Sequence, residues 1–149
     1  MTARPVLLRG APSAHLVRAE ALLQRLSSWA EARSDIRALT VVGSFARGQA
    51  RPDSDLDVLF LALEPARFSP DTSWTNALGD VSHCRLERYG RVTSVRTHFR
   101  DGLEVELAVA PHDWASRPYD SGTLRVVRNG IQVLFDRDGD VLELTACLP

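Results

Sequence analysis

The sequence predicts an α/β domain of the α+β kind, a sheet with antiparallel pairing packed against helices, and three observations carry that reading. A long stripe of apolar residues near the start has helical spacing. Two apolar runs flank a turn rich in Gly, Pro and Arg, and two further alternating runs meet at Arg100-Asp101-Gly102 as a hairpin. With 149 residues and 44% hydrophobic composition, the chain suits one globular domain spanning residues 1–149.

Residues 1–12 read as an arm without an assigned role. Ser13 is a helix cap, and from residue 15 to about 33 apolar side chains recur at Leu16, Ala19, Leu22, Leu23, Leu26, Trp29 and Ala30. Trp29 is expected in the core and His15 in solvent. Residues 36–42 form the first strand, with Leu39, Val41 and Val42 buried, and residues 55–61 the second. A short helix is expected over 71–78, in which Trp74 is a core anchor rather than a platform for a nucleobase. Residues 81–89 are ambiguous. Adjacent strand side chains point apart, so His83 and Cys84 make a poor metal pair.

The hairpin register follows from burial. A three-residue loop with Gly102 in the left-handed position puts Phe99, Thr97 and Val95 on one face with Leu103, Val105 and Leu107. The other face then pairs His98 with Glu104 and Arg96 with Glu106. Beyond it, residues 121–128 read as a helix closed by Asn129-Gly130, residues 131–135 as a last strand, 136–139 as a plain turn and 141–148 as a terminal helix.

The formal net charge of -1 gives no footprint for nucleic acid or an anionic membrane surface. All 18 basic residues are Arg, so a side chain that grips phosphate here does so as a guanidinium. Cys84 and Cys147 are the only cysteines and sit in no zinc-ligand pattern. Free thiols, an apolar N-terminal segment of only Val6-Leu7-Leu8 and the lack of a membrane-length apolar run lead us to expect a cytoplasmic protein.

The chemistry concentrates between the first two strands. Gly43 and Ser44 end the first apolar run, and Asp55 and Asp57 open the second. Alternate strand positions share a face at ~7 Å, so the two carboxylates can converge on Mg²⁺, which takes hard oxygen ligands and usually bridges to phosphates. Gly43 allows close approach of the backbone to a ligand, Ser44 offers a hydroxyl and N–H groups to an anion, and Arg47 is in reach of a triphosphate.

Gly43-Ser44, ten residues, then Asp55-Leu56-Asp57 resembles the signature of the DNA polymerase β-like nucleotidyltransferases, which include minimal nucleotidyltransferases and aminoglycoside nucleotidyltransferase domains. The resemblance implies a mixed sheet packed on helices, a third carboxylate on a later strand, two Mg²⁺ ions, and transfer of a nucleotidyl group from a nucleoside triphosphate, ATP above all. The third acid is expected at Glu106, with Glu104 as the fallback, and Arg96 either steadies it or contacts the triphosphate. The expected acceptor is a protein or RNA hydroxyl, including that of a small helical toxin-type partner as in minimal nucleotidyltransferase antitoxins. The alternatives are an aminoglycoside-type small molecule and a non-catalytic nucleotide-binding module.

Overall fold

A computed structural model describes residues 6–148. Its centre is a six-stranded sheet of β1 (Ile36–Val42), β2 (Leu56–Ala62), β3 (Val81–Tyr89), β4 (Val92–Phe99), β5 (Glu104–Pro111) and β6 (Ile131–Asp136), in the order β3-β4-β5-β2-β1-β6. Four of the neighbouring pairs are antiparallel, and β2 with β5 is parallel. Around it run α1 (Ala14–Glu31), the one-turn α2 (Gly43–Ala46), α3 (Ser121–Arg128) and α4 (Asp140–Cys147).

Strand alternation sorts the sheet into two faces, each with its own core. Leu39, Val41, Leu56, Val58, Phe60, Val105, Leu107 and Val109 point to the side of α1, where they meet Leu22, Leu23 and Leu26. Each such burial stabilises by roughly 1.5–3 kcal/mol before chain entropy is charged against it. α1 starts where Ser13 Oγ accepts the Leu16 N–H at 3.0 Å, and its stripe lands as the spacing predicts. On the opposite face Ala38, Leu59, Leu61 and Ala110 are covered by Trp114, Val127, Val141 and Leu144, which come from α3, α4 and the turn His112–Ala115. Asp57 and Glu106 belong to this second face.

The hairpin of β4 and β5 has the register that burial demanded. Val95 pairs with Leu107, Arg96 with Glu106 and His98 with Glu104, and Gly102 takes φ +95°. Residues 81–89 resolve into the edge strand β3, on which His83 stacks against His98 at 4.2 Å while Cys84 turns to Thr75 and Thr97 on the other face.

Two expectations change, and two others are filled in. The helix over 71–78 is only a 3-10 stretch, Ser73–Ala77, followed by Leu78 as its cap. Trp74 is nevertheless an anchor: it stacks on Trp29 at 5.2 Å and its indole N–H donates to the Phe68 carbonyl at 2.9 Å. His15 is not solvated, because its Nε2 lies 2.7 Å from the Ser54 carbonyl and its ring packs on Phe45. The arm is tied to α1, with the Val6 and Leu8 N–H groups donating to Gln24 and Glu20, while the part of it over residues 1–5 lies outside the described residues. Among the described residues, no helix is long and apolar enough to cross a membrane.

Candidate active site

The site forms where the cover on the second face stops. Because β2 and β5 run parallel in register, Asp57 and Glu106 are Cα partners, and the even spacing of parallel ladders points their carboxylates the same way. Burial raises the Asp57 carboxyl, and the neighbouring Glu106, which accepts a hydrogen bond from the protonated form, and then Asp55 raise it further, to about 7. The guanidinium of Arg96 works in the other direction and does not offset them.

Gly43 makes this crowding possible. It sits at φ +73° at the start of α2, and a Cβ there would stand 2.5 Å from Asp57 Oδ2. The glycine at this position thus admits a carboxylate from the neighbouring strand, where the sequence alone suggested a ligand. Ser44 follows it, half-buried, in the single turn that leads the chain out of β1.

Asp55 lies just before β2 and turns toward β4, where Arg96 Nη1 holds its Oδ2 at 2.8 Å. Arg96 is the hub of this flank: Nε donates to Glu87 at 3.0 Å, Nη1 also reaches Glu104 at 3.3 Å, and Nη2 reaches Glu106 at 3.4 Å. Burial works against its charge, but hydrogen bonds to Glu87, Asp55 and Glu104 and the field of Glu106 outweigh it and raise its pKa. Glu87, in turn, is pulled down to about 2 by the Tyr89 hydroxyl and by Arg85 and Arg96. Of the two roles set out for Arg96, steadying acids is the one its contacts display. Glu104 is turned to Arg96 and His98, two residues before Glu106, the register partner of Asp57.

A cavity of about 590 Å³ opens beside the acid pair. Gly43, Arg47, Asp57 and Glu106 line one part of it; Leu59, Val92, Ala108, Trp114 and Val126 give it an apolar part, and Tyr89 and Arg91 contribute from the turn between β3 and β4, Asp120 and Thr123 from the start of α3. Ser44, Asp55 and Arg96 are not among its lining residues. Arg47 is tied by Nη1 to the Asn129 carbonyl at 3.0 Å and by Nε to Gln49 at 3.1 Å, so it joins α2 to the end of α3. Trp114, Arg91 and Thr123 escape a sequence reading because three distant segments deliver them and none carries a motif; Arg91 is paired with Asp113 of the turn that follows β5.

Whether the site suits a divalent cation can be judged from its donors. Two hard carboxylates meet at Asp57 and Glu106, and the elevated Asp57 shows that the protein by itself leaves a positive charge wanting there. A Mg²⁺-type ion fits that pair. Among the described residues, however, no three His, Cys, Asp or Glu side chains are gathered so as to hold a metal, and Asp55 is turned to Arg96.

The fold and the motif at the head of β2 together define a polymerase β-like nucleotidyltransferase domain. Residues 17–147 match the streptomycin adenylyltransferase family, and the chain belongs to that family. Among solved structures it is similar to an aminoglycoside 6-adenyltransferase from Bacillus subtilis, with 17% identity, a TM-score of 0.51, and coverage of 70% of this chain and 37% of that one. Cid1 in complex with the UTP analog UMPNPP matches at 18% identity and a TM-score of 0.45, covering 79% of this chain and 35% of that one. The chain thus spans little more than a third of the length of either structure. No curated protein sequence matches it.

Proposed function

We propose that this protein moves a nucleoside monophosphate, AMP from ATP, onto the hydroxyl of an acceptor. The observation that carries the reading is the side-by-side pair of Asp57 and Glu106 lining a cavity large enough for a nucleotide, at the strand ends where Gly43 and Ser44 turn the chain. Asp57, Glu106 and Asp55 are the residues that would hold Mg²⁺, and bound there it would offset the charge of the phosphates and favour loss of pyrophosphate. Ser44 and the N–H groups of its turn offer donors to the phosphate chain. Glu106 would accept the proton that the acceptor hydroxyl gives up as its oxygen attacks the α-phosphorus and the bond to pyrophosphate breaks. The apolar part of the cavity beside Trp114 and Val92 suits the base or the acceptor.

Family membership favours a small polyhydroxylated acceptor of the streptomycin type. The second reading is a protein or RNA hydroxyl, including that of a small toxin-type protein; it draws on the exposed outer strand β3, which leaves the flank of the site open to an extended chain. Two unpaired cysteines and the use of ATP suit a cytoplasmic setting. Incubation with ATP labelled at the α-phosphate and Mg²⁺, with an aminoglycoside panel in one arm and cell extract in the other, tests the reading. Label on an aminoglycoside supports the first acceptor, label on a macromolecule supports the second, and ATP binding with no transfer in either arm supports the non-catalytic module.

A further inference from the structure

We propose that Arg96 is a built-in counter-cation: in the nucleotide-free protein its guanidinium takes up the charge of Asp55 and Glu106 that a divalent ion would otherwise take, and the ion is admitted only as Arg96 withdraws onto Glu87 and Glu104. The inference rests on the metal-assisted reading above and concerns how that site is loaded.

Arg96 stands in the middle of β4, between β3 and β5, with a side chain only 15% exposed. Its four carboxylate partners fall into two groups. Asp55 at 2.8 Å and Glu106 at 3.4 Å belong to the acid set; Glu87 at 3.0 Å and Glu104 at 3.3 Å lie outside it. Among the described residues no three acids are gathered to hold a metal, and two of the three acids of the motif reading, Asp55 and Glu106, are held by Arg96. A guanidinium and a divalent ion on the same carboxylate repel strongly in a partly buried site, so occupancy by one disfavours the other. Releasing Asp55 does not strand the arginine, because Glu87 and Glu104 keep it paired and so avoid the penalty of an unpaired, partly buried charge. A triphosphate changes the balance, since its negative charge favours entry of the divalent ion while Arg96 stays paired with Glu87 and Glu104. The arrangement thereby ties metal loading to nucleotide arrival.

The test uses Mn²⁺ alone, without nucleotide, followed by electron paramagnetic resonance on the full chain and on three variants. Arg96→Met removes the competitor and should bind Mn²⁺ on the order of tenfold tighter. Arg96→Lys keeps the charge but lacks the planar fork that spans Glu87 and Asp55 together, so it should also bind several-fold tighter. A general field effect of the charge would leave Arg96→Lys at the wild-type affinity and would overturn the proposal. So would unchanged or weaker binding in both variants. If circular dichroism shows Arg96→Met unfolded, Arg96→Lys decides alone. Asp57→Asn separates the two layers of the account: Mn²⁺ bound equally by wild type and Asp57→Asn sinks the metal reading and this inference together, whereas loss in Asp57→Asn without gain in the Arg96 variants sinks this inference only.

Discussion

Asp57 and Glu106 are register partners on two parallel strands, and Gly43 is the residue that leaves room for the first of them. The arrangement brings like charges together in a half-buried place, and it holds Asp57 up at about 7 through burial first and the neighbouring acids second.

That elevation fixes the sign of a stability effect. The folded chain binds a proton at Asp57 between the ordinary carboxylate range and about pH 7, where the unfolded chain has lost it. Stability is therefore full below that range and falls as pH rises toward 7, in the metal-free protein. Asp57→Asn should abolish the fall and leave the variant more stable than wild type at pH 8 by roughly 1–3 kcal/mol. Urea unfolding of both proteins in chelator at pH 5 and pH 8 measures it, and a wild type that gains stability over this interval would contradict the assignment.

The same proton competes with a cation. Mn²⁺ affinity should rise by up to about tenfold per pH unit below 7 and level off above it, because ion entry must first displace the Asp57 proton. Calorimetry at pH 6 and pH 8 in two buffers of different ionisation enthalpy should detect proton release at pH 6 alone; equal release at both would point to another group.

Gly43→Ala places a methyl group against Asp57 Oδ2 and a side chain at φ +73°. Positive φ costs of order 1 kcal/mol for alanine and the clash adds to it, so a loss of roughly 1–3 kcal/mol is expected in thermal melts. Nucleotidyl transfer should fall further than stability explains, since Asp57 has to move. A variant with wild-type transfer would show that the carboxylate's position is not set by this contact.

Trp74 separates core from ligand platform. Its stacking on Trp29 and its edge contacts with Phe60 and Phe68 predict that Trp74→Ala loses roughly 2–4 kcal/mol. The KM for ATP of the folded variant should not change. A raised KM at unchanged stability would make the ring a binding surface.

Much of the fold was legible because local rules and burial agreed. Residues 36–42 read as a strand and form one, and the choice between two hairpin loops followed from which register buries Leu107 with Val95. β3 was not legible: Ser82, His83, Arg85, Glu87 and Arg88 give an edge strand no apolar alternation to read. The motif singled out Asp55 and Asp57, but the parallel pairing that sets Glu106 beside Asp57 is a long-range event across two intervening strands. The pairing of Arg96 with Glu106 was read from the register, but its contacts with Glu87 and Asp55 escaped, since Glu87 comes from the ambiguous stretch and Asp55 from a distant loop. His15 shows the opposite error, a polar residue near a helix start that the loop carbonyl of Ser54 captures.

Release of pyrophosphate from ATP in the presence of Mg²⁺ and the acceptor, compared between wild type and Glu106→Gln, tests the central claim most directly. The acid pair as reaction centre predicts acceptor-dependent release by the wild type and a loss of at least about a hundredfold in a folded Glu106→Gln protein. Release at the wild-type rate without the Glu106 carboxylate would contradict it.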